Sequence, residues 1–362
     1  MKFILADHSY EEQLRNMVRD ETMPGHIQIS YEREPDFFHG LETQGTFNQI
    51  MAAEEEGRII GFGCRSIRPV FLNGKRINFG YLSGLRSLPE SKQKLGVVRG
   101  YRTLKKLHTD GRCPGYITTI IDGNVEAIST ITKGRAGLPS YKKLGRCTTY
   151  AIPLKMKRDK TLGGLVLRFA KKGEEKRIME SISLLGKQYQ FFPALAQSDF
   201  ESPLLLNLSI TDFIVAEKEG KICGISALWD QSAFKQHRIR KYSGFLRRAK
   251  PLLNTGLKCA GCQPIPNEGE MLRQAFFCFK ATTNNDPKVM KAMLDFACKH
   301  LAHAGYAYCI TGFHDDDPCS KIVKKHHALR YRSHLYFSGW ADDLKTYDAL
   351  DHRVFNFEPA IL

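Results

Sequence analysis

Alternating hydrophobic and polar positions dominate the first quarter of the chain and predict a β-rich beginning. Lys2 to Ala6 has the pattern of a short strand, and apolar residues spaced three and four apart after Ser9 predict a helix. Ser9 and Glu12 have the spacing of a capping box at the start of that helix. The region from Gln49 to Ile67 is predicted to be a hairpin whose tight turn ends at Gly57.

A strand, a basic loop and a helix follow in that order. The pair Asn73-Gly74 is a strong hairpin signal and leads into a predicted strand over Phe79 to Leu88, which Pro89 ends. Apolar residues from Val97 onwards have helical spacing. Gly96 precedes them, and the unpaired amides of a first helical turn favour phosphate. The cations around this loop are Lys92, Lys94, Arg99, Arg102, Lys105 and Lys106.

These residues resemble the acyl-coenzyme-A (acyl-CoA) motif of the GNAT acetyltransferase superfamily, written Q/R-x-x-G-x-G/A. The resemblance is carried by Leu85-Arg86-Ser87 and by Gln93-Lys94-Leu95-Gly96-Val97-Val98. Val98 departs from the motif, because the family has Gly or Ala there. In that family the loop amides hold the pyrophosphate of coenzyme A and the splayed fourth strand contacts the pantetheine arm. The resemblance therefore implies that Leu85, Arg86, Ser87, Gln93, Lys94, Leu95, Gly96, Val97 and Val98 bind acyl-CoA.

The next segment adds a predicted strand over Gly115 to Asp122 and a predicted helix over Val125 to Thr132. Asn124 and Ala127 resemble the family's N-x-x-A, which touches coenzyme A. The alternative is that Asn124 only caps the helix. Asp122 is the first acidic residue near the expected cleft, but its position before Gly123 favours a role in initiating the turn, and no general base is assigned.

Tyr141 and Gly145 resemble the family's Y-x-x-x-G ending, in which the tyrosine hydroxyl protonates the departing thiolate. The resemblance implies that Tyr141 is catalytic. Residues Lys133 to Pro139 lengthen the segment before it, and a purely packing role for the tyrosine is the alternative. The basic stretch that follows, Ile152 to Lys172, is predicted to be a linker.

An internal repeat divides the chain. Ala53 to Gly61 recurs as Ala216 to Gly224, at a shift of 163 residues without a gap. We therefore expect an α+β protein of two tandem GNAT-like domains, residues 1–155 and 156–362. Each domain is expected to be a mixed, mostly antiparallel sheet flanked by helices, with a splayed pair of parallel central strands.

The second copy lacks the phosphate loop. A strand over Glu270 to Ala281 and a helix beginning at Asp286-Pro287 are predicted, but Thr282 to Pro287 has no glycine and no cation, and Asp286 would repel a pyrophosphate. Gly305 to Phe313 and Tyr331 to Trp340 are the later predicted strands. This half is therefore predicted to be degenerate and to bind no acyl-CoA.

Composition limits the remaining functions. The chain has 362 residues, a net charge of +16 and ten scattered cysteines, which indicates a polyanionic ligand and a reducing, cytoplasmic setting. No apolar run approaches membrane-spanning length, so no membrane partner is expected. Cys259 and Cys262 lack further ligands at metal spacing, and no metal is expected. The basic run Asp230 to Glu268 is predicted to be a solvated face, with binding of an acidic substrate or partner surface and binding of nucleic acid as the alternatives. His326-His327 is predicted to end a solvated helix.

Together these patterns predict an N-acyltransferase. The resemblance implies direct transfer of an acetyl group from acetyl-CoA to a primary amine of unidentified acceptor. Two alternatives stay open at this point: an acyl-CoA-binding regulator without turnover, and a basic nucleic-acid-binding module.

Overall fold

The computed structural model describes residues 1–23, 26–88, 94–132, 138–155, 164–259 and 261–362. The strands in these ranges are β1 (Lys2–Ala6), β2 (Thr22–Met23), β3 (Ile27–Glu32), β4 (Phe47–Glu55), β5 (Arg58–Leu72), β6 (Lys75–Ser87), β7 (Tyr116–Ile121), β8 (Ser140–Pro153), β9 (Val166–Phe169), β10 (Tyr189–Gln190), β11 (Phe192–Pro193), β12 (Phe213–Lys218), β13 (Lys221–Trp229), β14 (Gln236–Tyr242), β15 (Gln274–Thr282), β16 (Tyr308–His314), β17 (Leu329–Gly339) and β18 (Val354–Phe355). The α-helices are α1 (Glu11–Asp20), α2 (Phe37–Glu42), α3 (Lys94–His108), α4 (Val125–Thr132), α5 (Glu175–Gly186), α6 (Gly244–Cys259), α7 (Pro287–His303) and α8 (Leu344–Asp348).

One 13-stranded sheet runs through the whole molecule. Its order is β1-β4-β5-β6-β7-β17-β8-β16-β15-β13-β12-β9, and β11 pairs with β5 at its far end. Most neighbours are antiparallel, and the two parallel pairs within it are β6 with β7 and β15 with β16. A small sheet, β14-β3-β2, connects the two halves of the chain. The predicted α+β class is confirmed.

The two halves repeat one arrangement and exchange one strand each. Read from its outer edge, the first half contributes β1, β4, β5, β6 and β7, and the second contributes β9, β12, β13, β15 and β16 in the matching order. Next to β7 lies β17 from the second half, and next to β16 lies β8 from the first. Each half is therefore completed by a strand of the other. The division at 155/156 stays a prediction.

The repeated hairpins match in detail. Glu56 and Gly57 turn the first hairpin with φ values of 51° and 81°, and Glu219 and Gly220 turn the second with 53° and 73°. The pairing of both hairpins shifts at the same place, after Ala53 in one and after its counterpart in the other. The internal repeat in the sequence thus corresponds to one repeated backbone geometry.

Apolar helix faces cover the sheet. In α7 the buried residues Met290, Met293, Leu294, Ala297 and Leu301 recur at the spacing expected of one helix face. Each fully buried side chain of this kind stabilises the fold by about 1.5–3 kcal/mol. The α3 helix uses Tyr101 and Leu104 in the same way against the first half of the sheet, which fixes its position beside β6 and β7.

One local prediction at the amino-terminal end is wrong. Ser9 does not cap α1 with its side chain, because a short 3-10 turn precedes the helix and the Asp7 carboxylate accepts a hydrogen bond from the Ser9 amide at 2.9 Å. The capping box read from Ser9 and Glu12 is thus replaced by an Asp7 cap one turn earlier.

Candidate functional site

A gap opens between β6 and β7 in the middle of the sheet. The two strands are paired only at Gly80 and Tyr81 of β6. One residue further along, the Thr118 hydroxyl of β7 donates a hydrogen bond to the Leu82 carbonyl at 2.8 Å. From there to Ser87, the described strands show no further pairing between β6 and β7. The backbone of β6 therefore has a free edge that faces the gap.

A β-bulge lies on that free edge. The pairing between β5 and β6 shifts between the Phe62–Arg86 pair and the Cys64–Ser83 pair, and Gly84, which lies in this interval, has a φ of 65°. Only glycine adopts this left-handed conformation without steric cost, and a bulge re-aims the groups around it. The Ser83 hydroxyl donates to Gln44 Oε1 at 2.8 Å, which ties the bulge to the segment after α2.

The first turn of α3 lies next in the chain and carries the predicted phosphate motif. Gly96 is in this turn, and a Cβ added there would meet no atom within 4 Å. The turn contains no acidic residue, so its amides and its positive dipole end are uncompensated by carboxylates of the helix itself. Val97 packs against the Leu82 and Tyr101 cluster, whereas Val98 is half-buried. Gln93 and the side chains of Lys94 and Leu95 lie outside the described residues.

The other predicted motif residues of β6 lie at its end. The Leu85 side chain is exposed, and Ser87 is exposed opposite Gly61. The Arg86 Nε lies 2.7 Å from Glu21 Oε2. Arg86 is thus held by a surface carboxylate beside the open end of the gap.

Tyr141 lies on β8, on the face of the sheet against which α3 packs. It packs with Leu82 and Tyr101 on one side and with Ile120 on the other. Its hydroxyl is 2.5 Å from the Tyr101 hydroxyl. Burial first, and then Tyr101, raises the pKa of Tyr141 well above its ordinary value. The phenol is therefore protonated at physiological pH, so it can donate a hydrogen bond or a proton while its oxygen accepts one from Tyr101.

Two further residues of the predicted motifs have structural partners. The Asn124 side chain accepts a hydrogen bond from the Ala127 amide at 3.0 Å, which is the geometry of a helix cap on α4. The capping role is thereby confirmed, and contact of Asn124 with acyl-CoA stays a prediction. Gly145 has a φ of 141°, and a Cβ there would lie 2.2 Å from His314 Nε2. Packing of β8 on β16 therefore requires this glycine.

A narrow cavity lies where β6 and β7 are joined, and it contains residues that the sequence did not single out. Its lining includes Gln44, Arg68, Gly80, Tyr81 and Glu358. Arg68 is 5% exposed, and no described residue accepts a hydrogen bond from its Nε, Nη1 or Nη2. Burial lowers its pKa to about 10. An arginine within the apolar strand β5 was the only sequence signal for it.

Comparison with solved structures gives three informative neighbours. N-myristoyltransferase of Saccharomyces cerevisiae, solved with bound myristoyl-CoA, has a TM-score of 0.60 and 12% identity, covering 93% of this chain and 78% of that chain. A GCN5-related N-acetyltransferase from Anabaena variabilis has a TM-score of 0.51 and 10% identity, covering 93% and 72%. A probable N-acyltransferase of unknown function from Enterococcus faecalis has a TM-score of 0.50 and 8% identity, covering 96% and 74%.

This chain has the GNAT fold. Identities this low establish the fold alone, because unrelated activities can share one fold. No family model and no curated protein matches the sequence. The GNAT fold confirms the resemblance read from the β6 and α3 motifs, and the tandem arrangement agrees with the N-myristoyltransferase neighbour.

The second half of the GNAT fold has the same gap, but its polar positions are occupied. Thr311 of β16 donates to the Phe277 carbonyl at 3.0 Å, as Thr118 does in the first half. Two residues on, Phe279 has a φ of 48° at the position of Gly84, and its amide donates to Glu358 Oε2 at 2.7 Å. The carboxyl-terminal segment therefore covers the bulge of this half.

The helix after this second gap is also closed to anions. The Asp286 carboxylate accepts a hydrogen bond from the Lys288 amide at 2.8 Å, and Pro287 is the first residue of α7. A carboxylate already caps the amides that would face a phosphate. The first turns of α3 and α7 thus differ in charge and capping, and the inability of the second half to bind acyl-CoA stays a prediction.

Two other predictions are wrong. The basic run is not a uniformly solvated face, because Glu32 lies 3.3 Å from Arg238 Nε and 2.8 Å from Arg240 Nη2, and Lys235 is buried. His326 does not end a solvated helix, since its side chain is buried with Nε2 3.3 Å from Asp295 Oδ1.

The described residues contain no metal cluster, no disulfide and no helix that could span a membrane. Within the described ranges, no group of three or more His, Cys, Asp or Glu side chains could hold a metal ion. The ten cysteines all lie in these ranges and form no disulfide. Among the described helices, none combines the length and the apolar character needed to cross a bilayer.

Proposed function

We propose that this chain is an N-acyltransferase that moves an acetyl group from acetyl-CoA to a primary amine. The observation that carries the proposal is the open gap between β6 and β7, with a glycine bulge on its edge and the first turn of α3 beside it. A free strand edge can hydrogen-bond an extended amide arm, and a helix start favours a pyrophosphate. N-myristoyltransferase, which shares this fold, was solved with bound myristoyl-CoA.

In this proposal the donor binds the first half alone. Gly96, Val97, Val98 and the loop before them hold the pyrophosphate, and Leu85 to Ser87 contact the pantetheine arm. The second half binds no acyl-CoA, because Glu358 accepts from its bulge amide and Asp286 caps its helix. We assign residues 1–155 to the acyl-CoA-binding domain and 156–362 to a structural partner that shapes the acceptor side.

Transfer is direct in this proposal. The amine nitrogen attacks the thioester carbonyl, which a main-chain amide near Leu85 polarises, and the C–N bond forms as the C–S bond breaks. The nitrogen loses its proton to water. Tyr141 donates a hydrogen bond to the developing thiolate, which takes a proton through that hydroxyl with Tyr101 next in line. Alignment of the two substrates supplies much of the acceleration, so no protein nucleophile is needed.

The cell compartment is part of the same proposal. The ten cysteines form no disulfide, and several thiols are deeply buried among apolar residues. Such thiols are typical of a reducing compartment. We therefore place the protein in the cytoplasm, where acetyl-CoA is also the expected donor.

The test is release of free coenzyme A thiol from acetyl-CoA during incubation with a panel of amines, amino acids, aminoglycosides and peptides. The proposal predicts acceptor-dependent release above the rate without protein. Acetyl-CoA binding without release for any amine would instead identify an acyl-CoA-binding regulator. Absence of both binding and release would contradict the donor site itself.

A further inference from the structure

Arg68 is a buried cation that finds no hydrogen-bond acceptor among the described residues. It points from β5 into the cavity beside Gly80 and Tyr81, and none of its three side-chain nitrogens has an acceptor among the described residues. An arginine is effectively always protonated, and an uncompensated buried charge is strongly destabilising. An unpaired guanidinium at this depth in an apolar strand favours an anion that binds from outside.

Other cations surround the same region. Arg33 is 4% exposed and its Nη1 also lacks a partner among the described residues. Lys235 is buried and donates to the Ala360 carbonyl at 3.1 Å. Burial first, and then the charges of Arg33 and Arg68, lower the pKa of Lys235 to about 8. Three buried cations therefore act on one another here.

The nearest buried acids of the described ranges form no ion pair with Arg68. Glu358 uses one oxygen for other groups, and its Oε1 has no hydrogen-bond partner among the described residues. Glu358 accepts from the Phe279 amide at 2.7 Å and lies 3.8 Å from Lys280 Nζ. Glu32 is held by the two arginines of β14. The charges of Asp199 and Glu358 act on Arg68 only from beyond ion-pair distance, where they partly offset the effect of burial on its pKa. Arg68, Arg33 and Lys235 outnumber these two acids, so the cavity favours an anionic group.

The cavity is also connected to the bulge. Gln44 lines the cavity beside Arg68, and its Oε1 accepts the hydrogen bond of Ser83, next to Gly84. A group bound at Arg68 therefore lies on the Ser83 side of the gap. The joined ends of β6 and β7 form one wall of its site.

We propose that Arg68 binds a carboxylate of the acceptor, so that the acceptor is an amino acid or another amine that carries a carboxylate. The planar guanidinium fork matches a carboxylate with two parallel hydrogen bonds. This inference rests on the proposed acyl transfer, because it assigns the second substrate of the same gap.

The test compares amino acids with their carboxamides as acceptors for acetyl-CoA, in wild type and in Arg68→Met. We expect wild type to favour the acid, and the acid-to-amide ratio of kcat/KM to fall on the order of 100-fold in Arg68→Met, since a charge-assisted contact to the carboxylate is lost. Arg76→Met removes the same charge from an exposed position outside the cavity lining and should leave the ratio unchanged.

A binding readout keeps the inference testable without turnover. N-acetylamino acids should raise the melting temperature of wild type more than their amides do, and Arg68→Met should lose this difference. The melting temperature of unliganded Arg68→Met should be equal or higher, because an unpaired buried charge is gone.

Several results would overturn the assignment. Wild type could use acids and amides with equal kcat/KM, or Arg68→Met could lose kcat/KM for both to the same extent. The melting temperature of Arg68→Met could also be lower than that of wild type, which would make Arg68 a structural residue. A preference for a dicarboxylic thioester over acetyl-CoA that Arg68→Met abolishes would place the carboxylate on the donor. Thiol release from neutral amines alone would leave the acyltransferase proposal intact and remove the carboxylate.

Discussion

Asp110→Ala should destabilise the protein through the buried cation that it leaves behind. The Arg65 side chain is 0% exposed, and its two terminal nitrogens each lie 2.8 Å from an Asp110 oxygen. Its remaining contacts are to Tyr116 and Gln49, at 2.9 and 2.7 Å. Since Asp110 follows α3 directly, this pair fixes the end of the helix to β5 and β7.

The magnitude follows from the pair itself. The Arg65 hydrogen bond is the main cause that lowers the pKa of Asp110 to about 2. A shift of about two units from the ordinary ~3.9 corresponds to about 2.5 kcal/mol, which solvent screening reduces because Asp110 is 29% exposed. Removing one partner of a buried pair costs about 3–5 kcal/mol. We expect a loss of about 3 kcal/mol for Asp110→Ala and about half of that for Asp110→Asn, which keeps one acceptor.

Urea unfolding at neutral pH measures this loss as a change in midpoint at constant slope. Asp20→Ala is the control, because Asp20 forms an exposed pair with Arg19 and such pairs contribute little. The pKa of Asp110 is lower in the folded state, so the contribution is complete above about pH 4 and is lost as the pH falls through about 2. Substitutions at unimportant surface positions change the free energy of unfolding by less than about 0.5 kcal/mol. If Asp110→Ala and Asp20→Ala differ in free energy of unfolding by no more than this, the Arg65–Asp110 pair does not stabilise the fold as expected.

Two further predictions concern the donor site. Tyr141→Phe should lower kcat about 100-fold while acetyl-CoA binding stays nearly the same, because the hydroxyl matters only when charge develops on sulfur. Tyr336→Phe, at the neighbouring tyrosine, is the control. If Tyr141→Phe turns over at the wild-type rate while the chemical step is rate-limiting, Tyr141 is a packing residue. The affinity for acetyl-CoA should fall as salt is added, because Lys92, Lys94 and Arg99 are predicted to face phosphates and exposed charges are screened beyond about 8 Å at physiological ionic strength; calorimetry that shows no change between low and high salt would place these cations elsewhere.

Much of the architecture was predictable because it is encoded locally. The turn at Gly57 predicted the hairpin of β4 and β5, and the bounds predicted for α4 are those observed. The Asn73-Gly74 turn predicted the hairpin that leads into β6, although β6 begins at Lys75 and not at the predicted Phe79. The repeat after Ala53 and Ala216 predicted the tandem design, because a shared turn and bulge leave a recognisable sequence. Such signals lie within one element or its immediate turn.

What the sequence could not supply depends on distant partners. The exchange of β8 and β17 is decided by packing between halves, and no local pattern of either strand specifies it. The local sequence predicts a solvated Arg238, whereas the structure pairs it with Glu32, which lies far away in the chain. The sequence marks Arg68 only as an arginine within an apolar strand, because its burial without a hydrogen-bond acceptor among the described residues is visible only in the structure.

Calorimetry of acetyl-CoA binding to Gly96→Asp tests directly whether the first turn of α3 holds the pyrophosphate of the donor. A Cβ at Gly96 meets open space, and an acidic residue in the first turn suits a helix start. The substitution should therefore leave the fold stable and place a negative charge where the pyrophosphate would bind. Gly244→Asp is the matched control, because Gly244 also starts a helix with open space around it, in the other half. We expect one acetyl-CoA site per chain in wild type and in Gly244→Asp, and none in Gly96→Asp. Two sites per chain, or unchanged binding by Gly96→Asp, would contradict a single donor site at the first turn of α3.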